Sequence, residues 1–166
     1  GGAQTHCRDQ QGRTALAVAA TRGDAEVTSQ LLRKNANVGL PDECGRTALM
    51  CAVDSGHIGV AALLLQHEVR SLWFKRGRHV HFAVTVNTED VVGFTPLMSA
   101  ASQGRADIIK LLLAHSADVD AQITCCCNDA KKQECLCRLG TTALALATEA
   151  QRGEAAAVLL LLFELQ

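Results

Sequence analysis

One phrase recurs four times along this 166-residue chain, and such a recurrence demands a stack of similar units rather than one closed core. The phrase runs Asp9-Gln-Gln-Gly12-Arg-Thr14-Ala-Leu16-Ala-Val-Ala-Ala20, with Gly23 following. It returns as Asp42-Glu-Cys-Gly45-Arg-Thr47-Ala-Leu49-Met-Cys-Ala52 before Gly56, and as Asp90-Val-Val-Gly93-Phe-Thr95-Pro96-Leu97-Met-Ser-Ala100-Ala101 before Gly104. A weaker fourth copy is Gly140-Thr-Thr142-Ala-Leu144-Ala-Leu-Ala147, with Gly153 after it. Aliphatic runs follow each phrase: Val27 to Leu32, Ile58 to Leu65, Ile108 to Leu113 and Val158 to Leu162. The first and third units close on Asn35-Ala36-Asn37-Val38 and Ser116-Ala117-Asp118-Val119-Asp120. The threonines are spaced by 33, 48 and 47 residues. One period of 33 is therefore intact, and the next two carry insertions of about fifteen and about fourteen.

Each unit can be read physically. Asp-x-x-Gly supplies a turn, with the glycine free to take positive φ. The threonine hydroxyl caps a short Ala-rich helix, and Pro96 falls at its first position, where a missing N–H costs nothing. A glycine stops that helix, and a second carries the Leu-Leu pair into the stack. One such hairpin cannot bury its apolar face alone, so neighbours must. Composition agrees: 48% of residues are hydrophobic but only 3% aromatic, with no tyrosine, so the core must be Ala, Leu and Val. Ala and Leu favour helix.

These residues resemble the ankyrin-repeat family, whose pattern is Asp-x-x-Gly-x-Thr-Pro-Leu-His, then Ala-Ala-x-x-Gly, then Leu-Leu and a Gly-Ala-Asp-Val-Asn-like close. The resemblance implies an all-α solenoid of stacked helix-turn-helix units with β-turn or hairpin fingers. It divides one domain into repeats at about 9–41, 42–89 (insertion about 68–86), 90–138 (insertion about 123–138) and 139–166. The family proline is Ala15, Ala48 and Ala143 in three units, and the family histidine is Ala17, Met50, Met98 and Ala145. Loss of the interturn hydrogen bonds that histidine makes implies reduced stability. The fourth unit separates Thr142 from Gly153 by eleven residues rather than nine, so its first helix is expected to be longer.

The resemblance also implies a non-catalytic protein-binding module or scaffold whose surface lies on the concave side, formed by the turn tips and short first helices, and the two enlarged turns are expected to add to it. Its variable positions are Gln10, Gln11, Arg13, Thr21 and Arg22, then Glu43, Cys44, Arg46, Asp54 and Ser55, then Val91, Val92, Phe94, Ser102 and Gln103. The first two sets are polar. The third puts three apolar side chains where water is expected, and exposed apolar clusters mark interaction sites. The alternative is that an insertion covers them.

The first insertion holds Arg70-Ser-Leu-Trp73-Phe74 and His79-Val-His-Phe-Ala-Val-Thr-Val86 around Lys75-Arg76-Gly-Arg78. Alternation of Val80, Phe82, Val84 and Val86 reads as a strand, so a β-hairpin is expected, its rings packed on the array or offered to a partner. Arg70, Lys75, Arg76 and Arg78 against Glu68 make it basic, suited to an acidic protein segment or a nucleic-acid backbone, or simply a solvated turn. The expected partner-binding set is Trp73, Phe74, Arg76, Arg78, Val91, Val92, Phe94 and Gln103, with Arg13 and Arg46.

The second insertion, Thr124 to Cys137, holds five of eight cysteines. Zinc wants Cys-x2–4-Cys knuckles. Here three adjacent cysteines precede Cys135-x-Cys137, so Cys125, Cys127, Cys135 and Cys137 are weak metal candidates. Free thiols are the leading expectation. A handling disulfide, a lipidated cluster and a metal- or redox-responsive module acting through this loop are the alternatives.

No Gly-x-Ser-x-Gly, phosphate-cradling loop or His-Glu-x-x-His is present, so neither an enzyme nor a small-molecule substrate or cofactor is expected. His57 occupies the family's Gly-His position, a structural one, while His79 and His81 share a face of the expected strand without a third ligand. A net charge of −1 argues against nucleic acid overall, and no run of eighteen apolar residues argues for a membrane span. With no export signal at the N-terminus, the expected compartment is intracellular, cytoplasmic or nuclear. Val158-Leu-Leu-Leu-Leu-Phe-Glu-Leu165 is apolar around most of a helix, so its outer face is expected to meet a further repeat or another copy.

Overall fold

The computed structural model describes residues 7–73, 86–123 and 140–163. Among them are eight helices in four antiparallel pairs: α1 (Ala15–Arg22) with α2 (Ala25–Arg33), α3 (Ala48–Ser55) with α4 (Ile58–Trp73), α5 (Pro96–Gln103) with α6 (Ala106–Ala114), and α7 (Ala143–Glu149) with α8 (Gly153–Phe163). The first members pack in one row, α1 on α3 on α5 on α7, and the second members in another, α2 on α4 on α6 on α8. Two layers follow, with the core between them and between successive units.

The starts of the first-row helices follow from the threonines. Thr14, Thr47, Thr95 and Thr142 each accept a hydrogen bond from the backbone N–H three residues on, at 3.2, 3.4, 3.3 and 3.5 Å. Pro96 takes the first turn of α5 as expected. The ends follow from a left-handed residue nine positions past each threonine: Gly23, Gly56 and Gly104, at φ 73°, 80° and 74°. In the fourth unit that position is Gln151, at φ 54°. The expectation of a longer helix there is therefore corrected. α7 has seven residues where α1, α3 and α5 have eight, and Gln151, not Gly153, makes the turn. Arg152 N–H then donates to Ala147 O at 2.9 Å, as His57 does to Ala52 O at 2.9 Å.

The second row is less uniform. α2 and α6 end before Asn35 and Ser116, which turn left-handed at φ 58° and 63°. The matching residue of the second unit is Glu68, a good helix former, and α4 runs on through it to Trp73. The first arm of the expected hairpin is thus helix, because nothing at Glu68 stops it. The basic turn and the strand positions from Val80 to Val84 lie outside the described residues. Val86 is buried four residues before Asp90, as Val38 stands four before Asp42. Asn87 then ties this closing turn to the third unit's, donating to Ser116 O at 3.3 Å and accepting from Asp118 N–H at 2.9 Å.

The core is aliphatic, as composition requires. Ala20, Ala52, Ala100 and Ala101 are completely buried, and Leu16, Leu49, Leu97, Leu65 and Leu112 fill the core around them. Met50 and Met98 are buried at the family's histidine positions, so hydrocarbon and sulfur fill that space.

Candidate functional site: the finger row and inner helices

Each of the first three units begins with a finger built around one aspartate. The carboxylates of Asp9, Asp42 and Asp90 each accept from the backbone N–H groups two and four residues on, all at 2.9 Å. The backbone closes the same turn: the N–H of Gly12, Gly45 and Gly93 donates to the aspartate carbonyl at 3.0 Å each. At φ 71°, 78° and 87° these glycines hold a conformation that a side chain would oppose. Fingers join edge to edge, Glu43 N–H to Gln11 O at 3.3 Å and Val91 N–H to Cys44 O at 3.0 Å. They form a continuous ridge.

What the fingers carry differs. Arg13 pairs with Asp9 at 2.7 Å and Arg46 with Asp42 at 3.1 Å, each folded back on its own turn. The guanidinium of Arg13, by hydrogen bonding, holds the Asp9 carboxyl below the usual carboxylate value, with desolvation opposing it and the backbone N–H groups of Arg13 and Gln11 assisting. Gln10, Gln11, Glu43 and Cys44 at the first two tips are exposed and polar or thiol-bearing. In the third finger Phe94 replaces the arginine and lies half-buried against the core. Val91 and Val92 project at its tip, 57% and 41% exposed. The expected apolar trio is thus divided, one ring anchoring the finger and two valines facing out.

Behind the ridge, the first-row helices present Thr21, Arg22, Asp54, Ser55, Ser102 and Gln103, all at least partly accessible. A polar network crosses from the second unit to the third. The Ser99 hydroxyl donates to Asp54, and Gln103 donates to Ser99 Oγ at 3.2 Å. Arg105 in turn donates to Gln103 Oε1 at 2.7 Å and to Asp54 O at 3.4 Å. Gln103 was expected on this face; Ser99 and Arg105 were not. The available signal was Ser99 itself, a hydroxyl interrupting the apolar run Leu97-Met98-Ser99-Ala100-Ala101. One joint earlier, His57 Nε2 lies 3.2 Å from Thr21 O, the structural role expected of it. Burial pushes the Cys51 thiol above its ordinary value, and a hydrogen bond with Thr21 opposes that in part.

Of the remaining expected residues, Trp73 is the last of α4, in the second row. Phe74, Arg76, Arg78, and the Cys125, Cys127, Cys135 and Cys137 set lie outside the described residues. Among the described residues no group of three or more His, Cys, Asp or Glu side chains is placed to hold a metal ion. No described helix is long and apolar enough to cross a membrane.

With capped helix pairs and a finger ridge in place, the comparison with known proteins is direct. A family model described as ankyrin repeats (3 copies) matches residues 1–72 and 74–165. The chain belongs to the ankyrin-repeat family. It is 34% identical over 111 residues to mouse ankyrin repeat domain-containing protein 63, covering 64% of this chain and 25% of that protein. Against Xenopus tropicalis neurogenic locus notch homolog protein 1 it is 31% identical over 121 residues, 72% of this chain and 4% of the relative. Against the Arabidopsis thaliana potassium channel AKT2/3 it is 30% identical over 127 residues, 67% and 16%. The chain spans a quarter or less of the length of these relatives. Ankyrin repeats are in general protein–protein interaction modules, typically without enzymatic activity.

Proposed function

We propose that this ankyrin array binds another protein through its finger ridge, with the third finger as the anchor and the adjoining first-row helices as the flank. The observation that carries the reading is the exposure of Val91 and Val92 on a turn already fixed by Asp90 and by the bond to the second finger. A preorganised apolar tip gains its desolvation on binding without an ordering cost. Gln103, at the end of α5, adds a polar group on the first-row flank. Arg13 and Arg46, held by their aspartates, give the outer fingers a charged rim that contributes to selection more than to affinity.

The experiment is quantitative capture from a lysate, with the intact array and the Val91→Asp/Val92→Asp variant at matched folding by circular dichroism. The reading predicts a discrete set of proteins lost from the variant. Recovery of the same proteins at the same levels by both would overturn it.

A further inference from the structure

The three fingers repeat one design with one omission. In the first two, the aspartate's second carboxylate oxygen carries an arginine from its own turn. Asp9 Oδ2 accepts from Arg13 Nε at 2.9 Å and lies 2.7 Å from Nη2; Asp42 Oδ2 accepts from Arg46 Nε at 3.2 Å and Nη2 at 3.1 Å. The third turn has the same backbone. Asp90 N–H donates to Phe94 O at 3.0 Å, as Asp9 N–H does to Arg13 O at 3.0 Å and Asp42 N–H to Arg46 O at 2.9 Å. Both finger N–H groups again go to Oδ1. Phe94 stands in the arginine's place, and among the described residues no cationic side chain is paired with Asp90. Its carboxylate is also more open than the second finger's, since Asp42 is buried and Asp90 only half-buried.

The surroundings suit a cation on an apolar stem. Val91 and Val92 follow Asp90 in the same turn and face out. The segment from Val86 to Pro96 holds Glu89 and Asp90 and neither Lys nor Arg, a formal charge of −2. Glu43 adds an exposed carboxylate at the adjoining tip, which the bond from Val91 N–H to Cys44 O joins to this one. We infer that the third finger takes an arginine from the partner protein, seated on Asp90 Oδ2 as Arg13 and Arg46 are seated on their own aspartates. This rests on the ridge-binding reading and adds the chemistry of the partner. The arginine's methylene stem lies over the valines while its guanidinium meets the carboxylate through two nitrogens. A fully solvated pair would contribute little, and the valines are what exclude water from this one. The segment that fits is an arginine between apolar residues.

The probe is the capped tripeptide leucyl-arginyl-leucine amide, with its neutral citrulline counterpart, titrated into the 166-residue chain and followed by backbone amide NMR. The arginine peptide should shift Val91, Val92 and Phe94 saturably and leave Arg13 and Arg46 in place, because their aspartates are already served. The citrulline form should bind at least about fivefold more weakly. Asp90→Asn keeps an Oδ1 acceptor for the turn and removes the charge, so it should retain the helical circular dichroism and erase the preference for arginine. Phe94→Arg supplies the missing arginine within the finger and should block the peptide, whereas Phe94→Leu, equally without the ring, should not. Equal binding of the two peptides, shifts of one size at all three fingers, or none at the third, as when a cation of the first insertion already sits there, overturns the inference. The ridge reading fails separately. If Val91→Asp/Val92→Asp loses captured proteins that Asp90→Asn retains in full, the ridge stands and the partner's arginine falls; if neither variant loses any, the ridge falls with it.

Discussion

The second and third fingers share a backbone and differ in what they do with it. Asp42 and Asp90 hold the same two N–H groups at the same distance, and Gly45 and Gly93 turn the same way. The second finger adds Arg46, bonded to Asp42 Oδ2 through Nε at 3.2 Å and Nη2 at 3.1 Å, and so closes on itself. The third adds Phe94, which plugs into the core and leaves Val91 and Val92 outside. Turn geometry is set by Asp, Gly and Thr, so the intervening positions are free to be a rim or an anchor. Recognition can therefore vary without disturbing the stack.

The difference can be measured. Asp42 is buried and serves two N–H groups and a guanidinium, so Asp42→Ala should cost about 3 kcal/mol in chemical denaturation. Asp90, half-buried and without an arginine on its own turn, should cost about 2 kcal/mol as Asp90→Ala. Equal losses would show that the Arg46 clasp adds nothing to its finger. Below these, Phe94→Ala should lose about 1.5 kcal/mol by removing half-buried apolar area, against about 0.5 kcal/mol for Arg46→Ala, whose pair is partly solvated. A reversed order in thermal or denaturant melts would break the assignment of anchor and rim.

Thiol reactivity separates the tip of the second finger from the helix behind it. In peptide mapping after maleimide treatment, Cys44 should be alkylated well before Cys51, whose burial and raised pKa keep it a thiol at neutral pH. The sign follows: once pH passes the ordinary thiol value, the unfolded state ionises while folded Cys51 does not, and stability falls. Comparable labelling of both would mean that the second joint opens readily. The smallest effect belongs to the exposed first finger. NMR titration should place Asp9 below the ordinary carboxylate value, moving up in Arg13→Ala. A depressed value stabilises the fold above the unfolded-state pKa, a contribution lost as pH falls through the folded one. An unmoved titration would deny the Arg13 clasp.

Much of this was legible in the sequence because each repeating residue has one local job. The four threonines cap four helices, the finger glycines take positive φ, and Pro96 begins α5. What escaped reading was decided by absences or by other units. α4 overruns because Glu68 replaces a residue that tolerates the left-handed turn, a negative signal beside an eye-catching aromatic run. Gln151 carries no turn signal of its own and Gly153 stands nearby, yet the ninth position after the threonine, not a glycine, defines the turn. Phe94 sat within an apolar trio, and only its contact with the core divides it from the valines. The Asp54–Ser99–Gln103–Arg105 network joins two units, so no single repeat could reveal it.

The most direct test is amide hydrogen exchange on the array, alone and with a captured protein that Val91→Asp/Val92→Asp fails to retain. Protection should rise across the third finger, Val91 to Phe94, and at the end of α5 beside Gln103, with α2 and α6 unchanged. Protection confined to α2, α4 or α6, with the third finger as exposed as before, would contradict the account.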